Sequence, residues 1–185
     1  ESLHEYEAFC DILKSHNIEL YFLDGSNNNT IDSIYAHDPF IISNDGAIIC
    51  NMGKKNRISE IENIKIFLKN NGSPILGEIS NPGKLEGGDI VWIDKHNIAV
   101  GIGYRSNIEG AKQLGEILSG IVKNVIPVPL PHWNGPSDCL HLMSNLSPID
   151  SNLFLIYSKL LPVQFIQYLK ENKIELIEVP FKEYE

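Results

Sequence analysis

Phe40-Ile41-Ile42-Ser43-Asn44-Asp45-Gly46-Ala47-Ile48-Ile49-Cys50 is the stretch on which the fold turns. Two short apolar runs flank Asn44-Asp45-Gly46. An Asp-Gly between such runs predicts a β-hairpin, because glycine tolerates the positive φ that a tight turn needs. A polar loop, residues 51–57, follows. Ile58, Ile61, Ile64, Phe67 and Leu68 then recur at helical spacing. Asn71-Gly72 ends that helix, and Pro74-Ile75-Leu76 resumes as strand. The phrase is therefore strand, strand, helix, strand.

The phrase returns twice. Ile90-Val91-Trp92-Ile93 is a strand, residues 94–97 a turn, and Ile98-Ala99-Val100-Gly101-Ile102 the return strand. A helix follows with Ala111, Leu114, Ile117 and Leu118 as its buried stripe. Ser106 is its expected N-cap, with Glu109 three residues on in the capping-box pattern. Val125-Ile126-Pro127-Val128 closes the unit. The third statement has an opening run at residues 140–144, a turn at 148–152 and a strand at 153–157. Its helix covers about 162–172, with Pro162 suited to the first turn, and 174–179 alternates like a strand.

Upstream, a helix carrying Phe9, Ile12 and Leu13 and a strand at 18–22 read as the last half of one more unit, and residues 25–29 as a loop. The recurrence, roughly 45–50 residues, is that of propellers and stacked repeats. One such unit cannot bury its own apolar face, so the units need neighbours. The expected organisation is one partial α/β domain over 1–185. Residues 1–35 end a first unit, and 36–84, 85–138 and 139–185 make three full ones. A doubly wound sheet is the main rival, but it places single strands between helices, whereas each unit here opens on a hairpin.

Composition narrows the function classes. An apolar content of 43% supports a packed core. A net charge of -9 argues against non-specific binding to nucleic acid or an anionic membrane, and no apolar run is long enough to span a bilayer. Cys10, Cys50 and Cys139 form no spaced framework, so neither a disulfide scaffold nor a zinc cluster is indicated, and no cofactor or metal is expected. Cys50 and Cys139 read as buried and inert. The acidic start, Glu1-Ser2-Leu3-His4-Glu5, lacks a secretory apolar core, so a cytoplasmic setting is expected. The first residue is not Met.

Polar residues recur near the front of each unit: Asp38 in the first, Glu86 and Asp89 around Gly87-Gly88 in the second, His141 in the third. Each alone reads as a turn, cap or strand residue. Units that circle an axis would bring them together. Two carboxylates facing one pocket suit a guanidinium, whose fork of N–H donors they accept bidentately. A histidine beside them can move protons near neutral pH. Arg57 and Arg105 both follow a return strand and precede a helix; paired, they could hold a carboxylate. Lys54-Lys55 reads as a solvated basic spot. Residues 132–136 read as a lid or a connector.

Asp38-Pro39, Asn51-Met52-Gly53 with Arg57, Glu86-Gly87-Gly88-Asp89, Arg105-Ser106-Asn107 and Leu140-His141-Leu142 together resemble guanidine-modifying enzymes of the pentein superfamily. The likeness is strongest to the dimethylarginine dimethylaminohydrolases, and it spans nearly the whole chain. It implies a five-bladed α/β propeller of ββαβ units, of which this chain holds about three and a half blades. It implies His141 as general acid/base, Glu86 and Asp38 as carboxylates binding the guanidinium, and Asp89 in support. Arg57 and Arg105 would hold the substrate carboxylate, and Asp32 its amine. A cysteine thiolate would attack the guanidinium carbon, and water would release citrulline from the covalent intermediate. That cysteine lies near the C-terminus in the family, beyond Glu185, so the chain alone is expected to be inactive. His37 stands where related enzymes often have Arg or Glu. Met143 stands where arginine deiminases place Asp, which favours the dimethylarginine branch. An amidinotransferase, an arginine deiminase or a non-catalytic binding scaffold of the same fold are the alternatives. The implied partner is a small guanidine.

Overall fold

The computed structural model describes residues 2–23 and 30–184. It opens on α1 (Ser2–Ser15), and after a 3₁₀ turn at Ile31–Ile34 the first hairpin begins. β1 (Phe40–Ser43) pairs antiparallel with β2 (Gly46–Ile49), α2 (Glu60–Asn70) crosses over, and β3 (Ile75–Glu78) returns parallel to β2. The same topology is repeated by β4 (Ile90–Trp92), β5 (Asn97–Ile102), α3 (Ile108–Ile117) and β6 (Asn124–Pro129). It is repeated again by β7 (Leu146–Asp150), β8 (Leu153–Ile156), α4 (Val163–Glu171) and β9 (Glu175–Glu178), after which α5 (Phe181–Tyr184) is a single turn. Each unit keeps its own three-stranded sheet. One continuous parallel sheet, the doubly wound alternative, is not what forms.

The hairpin turn expected at Asp45-Gly46 is present. Gly46 sits at φ +150°, and a Cβ there would lie 2.5 Å from the Pro74 carbonyl oxygen, where the incoming third strand passes. Glycine is therefore needed both for the turn and for the strand it receives.

Packing explains why the strands read as continuous apolar runs. Ile48 joins Ile98, Val100, Leu114 and Leu118 in one cluster, whereas its neighbours Ala47 and Ile49 pack on Ile64 and Leu68 of α2. In the second unit, Ile98 and Val100 face that first cluster, while Ala99 and Val91 turn to Leu146, Phe154 and Leu169 of the third. α3 and α4 thus each lie between their own sheet and a face of the unit before. A strand buried on both faces needs apolar residues at every position.

Four expectations need correction. Residues 18–22 form no strand, and Ile18, Tyr21 and Phe22 are exposed. A third strand forms by adding to a hairpin, and among the described residues no hairpin precedes this one. The predicted stripe of α1 is also not buried: Phe9 and Ile12 face outward, and Cys10 is the buried residue. Residues 148–150, expected in a turn, belong to β7, an edge strand where Pro148 costs no central ladder bond. The cap of α3 is Asn107, whose side chain accepts the Gly110 N–H at 2.8 Å; Ser106 is used elsewhere. The loop expected at 25–29 lies outside the described residues. No helix of the described residues is long and apolar enough to cross a membrane.

Candidate active site

The site is assembled from the loops that lead into or out of the hairpins. Gly87-Gly88-Asp89 forms a tight 3₁₀ turn just before β4. A Cβ at Gly87 would overlap the His37 carbonyl, and one at Gly88 would overlap the His141 ring. The two glycines therefore let the loops of all three units meet. The Gly87 N–H donates to the Asp38 carbonyl at 2.8 Å, and the Gly88 N–H to Asp38 Oδ1 at 3.1 Å. Asp89 Oδ1 accepts the Leu142 N–H at 3.0 Å, which ties the second unit to the third.

Asp38, Glu86 and His141 come together, with one ligand atom from each lying within 4.8 Å of the others. Glu86 is fully buried. Its Oε2 receives His141 Nε2 at 2.9 Å and lies 3.4 Å from Arg105 Nη1, and its Oε1 accepts the Lys54 N–H at 2.8 Å. Burial opposes ionisation, but the bonds from His141 and the Lys54 N–H outweigh it and hold the carboxyl below its ordinary range. Asp89 differs: burial dominates, and despite His141, Ser106 and the Leu142 N–H its pKa is pushed up to about 6. The Ser106 hydroxyl donates to Asp89 Oδ2 at 2.6 Å and accepts the Glu86 N–H at 3.0 Å, so it links the two acids.

His141 precedes a 3₁₀ turn at Leu142–Ser144. Burial alone would lower its pKa, but contacts to Cys139 and Glu86, with the field of Asp89, push it up to about 10. Raised so far, the ring is held as an imidazolium whose Nε2–H donates to Glu86 Oε2. Asp38, Glu86 and His141 have the ligand types for a divalent ion. Arginines, however, already share the charge of both acids: Arg57 holds Asp38 and Arg105 lies beside Glu86. The arrangement suits a planar organic cation better.

Asp38 Oδ2 is held by Arg57 Nη1 at 2.6 Å, and Arg57 is itself buried. Its Nε and Nη2 go to Glu60 and its Nη2 also to the Tyr35 carbonyl. The two arginines are therefore not a pair: Arg57 serves Asp38 and Glu60, and Arg105 serves Glu86. Asp32 is linked to Lys54 Nζ at 2.5 Å, and that bond, with the fields of Arg57 and Arg105, lowers its pKa.

Three participants were not read from sequence. Glu60 lies three residues after Arg57, a spacing that could have marked a pair at a helix start. Ser106 was read as a cap. Lys54 was read as solvated, yet it contacts Glu86 through its N–H and Asp32 through its ammonium. Cys139 also departs from expectation. It is exposed, with Sγ 3.4 Å from His141 Nδ1, because residues 139–141 are loop and not buried strand. Cys50 is buried as expected, and burial pushes its thiol well up. His132 of the 132–136 loop bonds the Tyr104 hydroxyl at 2.6 Å.

A sequence model described as arginine deiminase matches residues 12–175. This chain belongs to the arginine deiminase family. That places it in the pentein superfamily, as the motifs implied. It is 25% identical over 185 residues to the N(G),N(G)-dimethylarginine dimethylaminohydrolase of Pseudomonas aeruginosa, an alignment covering 99% of this chain and 67% of that protein. The solved structure of the same organism's enzyme, a cysteine-to-serine mutant complexed with citrulline, superposes with a TM-score of 0.80 at 25% identity, covering 98% of this chain and 67% of that one. An amidinotransferase from Microseira wollei, of the saxitoxin biosynthetic pathway, shares the fold with a TM-score of 0.79 at 15% identity over 96% of this chain and 61% of its own. The chain thus spans about two thirds of the length of the relatives it matches.

Proposed function

We propose that the protein carrying this chain hydrolyses a C–N bond in the guanidinium of an arginine-like small molecule, dimethylarginine among the candidates. The observation that carries the reading is the meeting of Asp38, Glu86 and His141, from three successive units, within 4.8 Å. In this reading residues 36–84, 85–138 and 139–185 are blades of a five-bladed propeller whose axis passes through that meeting point. Residues 1–35 end a further blade.

Glu86 receives the guanidinium N–H groups together with Asp38, which Arg57 orients. A thiolate from a cysteine outside Glu1–Glu185 attacks the guanidinium carbon and forms a C–S bond. The C–N bond to the departing amine breaks as His141 gives up its Nε2 proton. Water then attacks the same carbon, His141 takes a proton back, and the C–S bond breaks to leave a ureido product. From arginine or a methylated arginine that product is citrulline. Asp89 fixes the 141–142 backbone and contributes field, and Arg105, 3.4 Å from Glu86, is the cation that would meet a substrate carboxylate.

The test is incubation of the whole protein with arginine, monomethylarginine, dimethylarginine and simple guanidino acids, with a colorimetric assay for ureido product. Product from at least one is expected. No product from any guanidine would refute the reading. His141→Asn should abolish turnover while leaving guanidine binding within about threefold, since binding rests on the carboxylates.

A further inference from the structure

We propose that the site selects guanidines carrying a carboxylate but no neighbouring ammonium, with Lys54 and Arg105 receiving the carboxylate and Lys54 excluding the ammonium. The inference rests on the guanidine-hydrolase reading and narrows its substrate.

Among the described residues, each acid of the site is already engaged. Asp38 is with Arg57 and the Gly88 N–H; Glu86 with His141, Arg105 and the Lys54 N–H; Asp89 with Ser106 and the Leu142 N–H. Glu60 is with Arg57 and Ser33. Of these, Glu86 bonds His141 at 2.9 Å and Asp38 lies 3.9 Å from its ring, and they are the acids a guanidinium would use. Asp32 is more open than the others, its side chain 28% exposed, so a second cation on the ligand would turn to it. Lys54 Nζ is already there at 2.5 Å.

The connection is short. The same residue gives its backbone N–H to Glu86 Oε1 and its ammonium to Asp32. A ligand whose guanidinium lies on Glu86 therefore extends past Lys54. If that ligand carries an ammonium, it must displace Lys54 from Asp32 or sit beside it as a like charge. Arg105, within ion-pair range of Glu86 and acting on Asp32 through its field, adds to the repulsion. A ligand carboxylate meets the reverse. Lys54, 36% exposed at its side chain, can meet an anion from its place on Asp32, and Arg105, 11% exposed and beside Glu86, adds its charge from within. Gly53 allows this proximity, since a Cβ there would overlap the Arg105 carbonyl.

Three ligands separate the charges: arginine, desaminoarginine (the same molecule without its ammonium) and agmatine (without its carboxylate). Dissociation constants, or kcat/KM where a ligand is turned over, are compared for the whole protein and for Lys54→Met. Desaminoarginine is expected to lead arginine by at least about tenfold, with agmatine weakest. In Lys54→Met the gap between the first two should fall within about threefold. Arginine equal to or better than desaminoarginine in the unsubstituted protein overturns the proposal, and so does a preference that survives Lys54→Met. If neither these ligands nor methylguanidine binds, the guanidine reading itself has failed and the inference falls with it.

Discussion

Replacing Glu86 by Gln should lower the pKa of His141 by about 1–2 units. The ring stands at about 10 because burial, which pulls it down, is outweighed by Cys139, Glu86 and Asp89. Glu86 supplies a charge-assisted bond at 2.9 Å inside the protein. Such a bond is worth about 1.5–3 kcal/mol, and one pKa unit corresponds to about 1.36 kcal/mol. Gln keeps the shape, and its carbonyl oxygen can still accept the Lys54 N–H. The substitution also leaves Arg105 unshared near the ring, which acts in the same direction. The measurement is a long-range ¹⁵N–¹H titration of the imidazoles. His141 is assigned among the six histidines by its absence in His141→Gln. The expected value in Glu86→Gln is about 8–9. A value within about 0.3 of the unsubstituted protein, or above it, would mean that Glu86 does not hold the imidazolium.

Other consequences follow from the same contacts. His141 has a folded pKa raised above its ordinary 6.5, so the stability it contributes is complete below pH 6.5 and is lost as pH rises toward about 10. Urea midpoints should fall across that window by more than in His141→Gln; equal slopes would contradict it. Asp89, raised to about 6, removes stability in the same direction between about pH 4 and 6. Arg57→Met leaves two buried acids, Asp38 and Glu60, without their cation and should cost about 3–5 kcal/mol by chemical denaturation. A cost under about 1 kcal/mol would mean the buried cluster is not as described. Gly88→Ala places a methyl group against the His141 ring and should push the ring off Glu86. His141 should then titrate at least a unit lower, and an unchanged titration would contradict the close approach.

What could be read from sequence was what is local. Asp45-Gly46 fixes a hairpin by its own φ requirement, and the helices announce themselves by the spacing of Ile64 with Leu68 and of Leu114 with Leu118. The convergence of Asp38, Glu86 and His141 was legible because the repeat gave each the same place in its unit. Misreadings fell where a partner from elsewhere decides. Segment 18–22 has strand-like residues but no hairpin to join. Ser106 and Asn107 are equally good caps in isolation, and the choice is made by Asp89, seventeen residues upstream, taking the serine hydroxyl. Lys54 resembles any surface lysine until Asp32, twenty-two residues away, is placed beside it. Arg57 reads as free for a ligand because Asp38, nineteen residues upstream, comes beside it only in the fold.

The claim that three units present one cation-binding centre is tested most directly by titrating the protein with methylguanidinium and following amide and imidazole resonances. The Lys54 and Gly88 N–H groups report on Glu86 and Asp38, and the His141 ring on the third unit. All three should shift together along one saturable curve while exposed Gly72 stays still. Saturation that moves other residues and leaves these three unchanged would show that the centre is elsewhere.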